Sequence, residues 1–192
     1  VSVGVGGAQA NSGSSDPRLS ADGRYVAFRS NASNLVAGDT NGLVDVFVYD
    51  RQTGQTTLAS VGTGGVQGTV HIFEPPALSA DGRFVAFDTK AVNLLGANED
   101  TNGVMDVYLK DRRTGEVIRV SNGMSGDQGN GQSHSPTISR DGRWVAFHSS
   151  ATNLVPGDTN GRPDAFVYDL DTQQVSRVSL ATGGAQSDGT TY

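Results

Sequence analysis

Apolar residues occur in short runs broken by clusters of Gly, Asp, Asn, Ser and Thr, and no stretch holds a 3.6-residue period over three turns. The first set of runs predicts four strands, at residues 18–20, 24–29, 44–49 and 55–61. Asp22-Gly23 between the first two is a hairpin signal, because Gly adopts the positive φ that a tight turn needs. Thr53-Gly54 marks a weaker one, and a longer loop, roughly 30–43, joins the middle pair. Tyr25-Val26-Ala27-Phe28 is apolar at consecutive positions, so both faces of that strand must be covered.

The pattern then recurs. S-A-D-G-R-Y-V-A-F from Ser20 returns as S-A-D-G-R-F-V-A-F from Ser79 and S-R-D-G-R-W-V-A-F from Ser139. A second block, G-D-T-N-G-L-V-D-V-F-V-Y-D from Gly38, returns from Glu99 and Gly157. Asp22, Asp81 and Asp141 are spaced by 59 and 60, and Asp45, Asp106 and Asp164 by 61 and 58, with a small insertion before Asp100. Three units of about 60 residues follow, at 16–74, 75–134 and 135–180. Residues 1–15 duplicate the register of 178–192, so they read as the tail of a preceding repeat, and 181–192 as the lead-in to a next one. The expected fold is all-β: three four-stranded antiparallel blades of a β-propeller. A ring needs about four blades, so three are expected to form an open segment, completed by further repeats or by association through an unpaired edge.

Composition narrows the partners. With 192 residues, 26 Gly and 35% hydrophobic content, the chain suits short strands and many turns. A net charge of −6, with lysine only at 90 and 110 and arginines dispersed, excludes a nucleic-acid surface. No apolar window is long enough to span a membrane, and no signal peptide opens the chain. Zero cysteines remove disulfides, thiolate metal sites and a Cys nucleophile together. The composition leans toward a bacterial exported protein, extracellular or periplasmic.

S-x-D-G-R-x-V-A-F followed by D-V-F-V-Y-D resembles the TolB-type, WD40-like β-propeller repeat of bacterial exported proteins, three times over essentially the whole chain. That resemblance implies the fold. It says little about ligand, since such repeats occur in translocation-associated periplasmic proteins, in propellers ahead of serine peptidases and in uncharacterised secreted proteins. The translocation-associated members lack the long G-D-T-N-G loop, so their partners do not carry over.

That loop holds the candidate metal ligands. D-x-N-G-x-x-D occurs as Asp39-Asn41-Asp45, Asp100-Asn102-Asp106 and Asp158-Asn160-Asp164. Alternate positions of a tight loop turn oxygens inward, as in acidic calcium loops, and Gly permits the bend. The distal Glu of a helix-flanked calcium loop is missing, so backbone carbonyls or water must complete each shell. The competing reading is that Asp and Asn only make Asx-turns. The second Asp, which a turn does not need, favours one Ca²⁺ per repeat; three such ions would cancel the −6. Asn34-Leu35, Asn93-Leu94 and Asn153-Leu154 at the loop start read as capped turns with the Leu plugged into the core.

Catalytic candidates are weak. His71, His134 and His148 occupy non-equivalent repeat positions, and His148 reads as structural. His134 lies in S-H-S-P, where a neighbour in sequence seldom reaches triad geometry, and no G-x-S-x-G elbow exists. Asp22, Asp81 and Asp141 are hairpin residues, and Asp50 and Asp111 strand-end turn residues. Tyr25, Phe84 and Trp144 share one position and Phe47, Tyr108 and Phe166 another, which fits packing between blades better than a sugar platform. The sequon Asn31-Ala32-Ser33 has little weight alone.

The expectation from sequence is therefore a non-enzymatic, calcium-stabilised propeller module for protein interaction, self-association or extracellular assembly. Its partners would be itself or another protein, with glycan left open. The alternative is a substrate- or glycan-recognition propeller domain of a larger secreted hydrolase.

Overall fold

A computed structural model describes residues 2–96 and 99–186. Parts of the expected flanking segments, residues 1 and 187–192, and residues 97–98 beside the insertion lie outside the described residues. Within it, short hydrogen-bonded hairpins form three four-stranded sheets, each antiparallel and in chain order. The first holds β1 (Ser14–Leu19), β2 (Tyr25–Ser30), β3 (Asp45–Asp50) and β4 (Gln55–Leu58). The second holds β5 (Ala77–Leu78), β6 (Phe84–Thr89), β7 (Asp106–Asp111) and β8 (Val117–Arg119). The third holds β9 (Ser133–Ile138), β10 (Trp144–Ser149), β11 (Asp164–Asp169) and β12 (Gln174–Arg177). One 3-10 turn, Val5–Gly7, precedes them.

The strand faces explain the unbroken apolar runs. Ala27, Val46 and Val48 of the first sheet share a core with Val85, Phe87 and Tyr108 of the second. Phe84, Ala86, Val107 and Leu109, from alternate positions, share another with Val145, Phe147 and Phe166 of the third. Each sheet thus buries one face against its neighbour, and the middle sheet buries both. Directly opposed aromatic pairs repeat at the same register: Phe28 with Phe47, Phe87 with Tyr108, and Phe147 with Phe166, at 5.8–6.0 Å. Leu35, Leu94 and Leu154 are buried as expected, whereas Asn34, Asn93 and Asn153 do not cap their own turns but donate to the Gln9, Gln67 and Gln128 carbonyls.

Two strand boundaries differ from expectation by more than one residue. β1 starts at Ser14, because a bulge between Ser15 and Arg18 lets the chain pass Asp16-Pro17 and resume pairing. Asp16 takes φ 55° there, and the proline, lacking an N–H, needs no ladder partner. β4 stops at Leu58, because Ala59 and Ser60 both donate to the Val46 carbonyl as the chain turns away. It then crosses to the second sheet, where a Cβ at Gly62 would lie 2.1 Å from the Leu94 carbonyl oxygen.

The first strands of the three sheets lie side by side, with β5 packed on β1 and β9 on β5. Their turns are tied directly, Ala21 N–H to the Ala80 carbonyl at 2.8 Å and Ala80 N–H to the Arg140 carbonyl at 3.2 Å. This axial edge and the acidic loops, 38–45 in the first sheet, carry the polar chemistry.

Candidate functional site

Each acidic loop is built by the strand that follows it. Asp45, Asp106 and Asp164 open β3, β7 and β11, so the ladder fixes their carboxylates, and all three are buried. A serine beyond the next strand holds each one: Ser60 to Asp45 at 2.6 Å, Ser121 to Asp106 at 2.5 Å, Ser179 to Asp164 at 2.5 Å. A glutamine 22 residues past each of these aspartates clips the loop. Gln67 accepts from Thr40 N–H at 3.1 Å and donates to the Gly38 carbonyl at 2.8 Å; Gln128 and Gln186 serve the other two loops in the same way.

The asparagines do not offer their oxygens as the sequence suggested. Asn41, Asn102 and Asn160 accept from the backbone N–H two residues on, at 2.9–3.0 Å, which is an Asx-turn. Asn102 and Asn160 turn the amide NH₂ toward Asp106 and Asp164, at 3.1 and 3.2 Å. A local turn bond competes successfully for the amide oxygen.

A second observation concerns charge. Arg119 places Nη1 3.7 Å from Asp100 and 3.6 Å from Asp106, deeply buried. Arg177 stands likewise 3.1 Å from Asp158 and 3.5 Å from Asp164. In the second and third loops a guanidinium therefore sits where Asp100, Asn102 and Asp106, or Asp158, Asn160 and Asp164, were expected to hold calcium. Opposite charge and burial leave that space to the arginine. Among the described residues no three His, Cys, Asp or Glu side chains gather as a metal cluster. The first loop lacks the arginine: Leu58 pairs with Phe47 as Arg119 does with Tyr108 and Arg177 with Phe166. Burial, then the neighbouring Asp45, pushes the Asp39 carboxyl above its usual range, and burial does the same to Asp45. The arginines were legible in principle, since Leu58, Arg119 and Arg177 carry the same 61- and 58-residue spacing as the second aspartates.

The axial edge gathers groups that the sequence left scattered. His134 and His148 face each other across the β9–β10 ladder, ring centres 5.9 Å apart and edge-on. His134 Nδ1 lies 3.0 Å from Ser135 Oγ, and Ser135 has φ 56° on a bulge matching that at Asp16. Asp88 takes the place that Arg29 and His148 hold in the other sheets, and it accepts the Ser135 backbone N–H at 2.9 Å, not the imidazole. Burial, with the nearby Glu74 carboxylate, pushes Asp88 up to about 6. A cleft of about 410 Å³, lined by Arg18, Glu74 and Pro136 among others, opens between the first strands.

Two solved structures match this architecture. TolB from Acinetobacter baumannii superposes over 91% of the chain and 34% of its own length, at TM-score 0.52 and 20% identity. The β-propeller domain of the Trilobed protease from Pyrococcus furiosus does so over 87% and 42%, at TM-score 0.52 and 14% identity. The fold is that of β-propeller blades. No family model matches the chain. In sequence, dipeptidyl-peptidase 5 of Trichophyton tonsurans is 39% identical over 82 residues, 42% of this chain, as is its namesake from Trichophyton schoenleinii. The propeller chain spans 11% of the length of these relatives. These peptidase relatives overturn two expectations from sequence, the non-catalytic calcium module for assembly and the absence of an enzyme. Among the described residues no helix is long and apolar enough to cross a membrane.

Proposed function

We propose that these blades are the substrate-facing propeller segment of a larger, exported peptidase, built from the TolB-type repeat. The observation that carries this reading is the 39% identity to dipeptidyl-peptidase 5 over 82 residues. The axial cleft supports it: Glu74 supplies a half-buried carboxylate suited to a peptide's cationic amino terminus, and Pro75, Pro76 and Pro136 stiffen the wall around it. The blades bind and orient the peptide, and hydrolysis belongs to the whole protein.

The test is made on the full-length gene product, with dipeptidyl and N-acylated aminoacyl p-nitroanilides as substrates. Release of p-nitroaniline is expected from the free-amino dipeptidyl substrates. Glu74→Gln should raise KM by about tenfold for these and leave kcat within about twofold, as lost ground-state binding does. A folded full-length protein that cleaves neither substrate class overturns the proposal.

A further inference from the structure

The three acidic loops are the same cradle with different cations available. Asp39 and Asp45 are over nine-tenths buried, and each keeps an oxygen, Oδ1 of Asp39 and Oδ2 of Asp45, with no hydrogen-bond partner. The other Asp45 oxygen is satisfied by Ser60 at 2.6 Å, so the orphan oxygen is not a failure of the loop to fold. In the sister sheets Arg119 and Arg177 stand 3.1–3.7 Å from one oxygen of each matching carboxylate, as ion pairs and not hydrogen bonds, since Asp100 Oδ1 and both Asp158 oxygens also lack a hydrogen-bond partner. Those arginines show what the cradle is shaped to hold: a positive charge between two carboxylates. In the first sheet the matching side chain is Leu58, packed beside Phe28 and Phe47. No lysine or arginine ion-pairs with Asp39 or Asp45 among the described residues.

His71 is the other basic group close to Asp45. Its Nδ1 accepts the Val44 backbone N–H at 2.8 Å, so that nitrogen is already engaged and turned away from ion pairing. It cannot replace the missing guanidinium while that bond stands. Two buried carboxylates without a counter-charge are costly, since each ion loses its hydration.

We propose that the first loop binds one Ca²⁺ between Asp39 and Asp45, and that arginine takes the ion's place in the second and third. The charge matches, two carboxylates to one divalent ion. The donors are hard oxygens, which suit calcium, and water or backbone carbonyls complete its shell. The site is independent of the hydrolase reading, since nothing in it touches the axial cleft.

The substitution series is written into the repeat itself. Isothermal calorimetry on the 192-residue chain at neutral pH, with calcium chloride as the only titrant, should give one ion per chain. Chelation should lower Tm and calcium restore it. Leu58→Arg copies the sister sheets, so it should abolish binding and make Tm indifferent to chelator. Asp39→Asn should also abolish binding, and it checks the result should Leu58→Arg disturb packing. Arg119→Leu should raise the count to two. The proposal is overturned if the native chain binds no calcium, if it binds three ions, or if Leu58→Arg still binds one.

Discussion

Asp88 shows how one position in a repeated frame acquires its own chemistry. Arg29 at the equivalent place pairs with Asp16 at 2.5 Å, whereas Asp88 is fully buried beside Glu74 with one oxygen unsatisfied. Its folded-state pKa, raised to about 6, lies above that of an unfolded aspartate near 3.8. The protonated form is therefore favoured by folding. Its contribution is complete below the unfolded value and is lost as pH rises through about 6. That loss approaches about 3 kcal/mol at neutral pH, from a shift of roughly two units. Urea titrations should show native stability falling between about pH 4 and 6 relative to Asp88→Asn, which keeps an acceptor for Ser135 and cannot ionise. Parallel pH profiles for the two proteins would refute the assignment. Nothing in the sequence marks Asp88, because its burial depends on β9 of the next sheet. The metal loops were legible as loops. Their arginines were legible only through the repeat spacing and not from the loop itself, because Arg119 lies 13 residues past Asp106 and reaches it only across a β-ladder.

The hairpin between the first two strands of each sheet combines three jobs that its D-G-R motif only partly announces. Asp22 accepts from Ser20 Oγ at 2.6 Å and Arg24 N–H at 2.9 Å, which fixes the turn and holds its carboxyl below the usual range. The arginine reaches across to the strand-end aspartate. Arg24 grips Asp50 through Nε at 3.0 Å and Nη2 at 2.7 Å, and Arg143 grips Asp169 similarly, holding that carboxyl down at about 2. So Asp50, Asp111 and Asp169 are ion-pair partners as well as turn residues. The glycine does the third job, between sheets. A Cβ at Gly82 would meet the Tyr25 ring at 2.2 Å, while one at Gly23 has only the mobile end of Arg51 within 4 Å. Both glycines have φ near 70°, so both Gly→Ala changes incur the left-handed backbone cost of about 1–2 kcal/mol. Gly82→Ala should cost about 1–3 kcal/mol more, through overpacking against Tyr25. Equal losses in chemical denaturation would mean that the ring moves aside freely. Strand number and order were legible because Asp-Gly turns and apolar runs are local. The bulge at Asp16-Pro17 was not, since proline in a run reads as a strand's end.

At the scale of the molecule, a period near 60 residues carried the architecture, because stacked sheets with both faces covered are what such a repeat can build. Function was far less legible: the blades hold a cleft and a set of charged loops, and the likeness to dipeptidyl-peptidase 5 rests on an 82-residue match that no single motif announces. Stacking also has a direction. Tyr25 is covered by the Gly82 turn and Phe84 by the Gly142 turn, each aromatic meeting the glycine of the following sheet. Trp144 holds the same place in the third sheet, under Arg143 at 4.7 Å, and is 40% exposed. As the sole tryptophan of the chain, it makes a built-in optical gauge of that face. In the isolated chain its emission should be red-shifted and readily quenched by acrylamide. In a protein that lays another blade over the third sheet, the indole should move to the blue and resist the quencher. Blue, protected emission from the isolated chain would mean that something already covers the face.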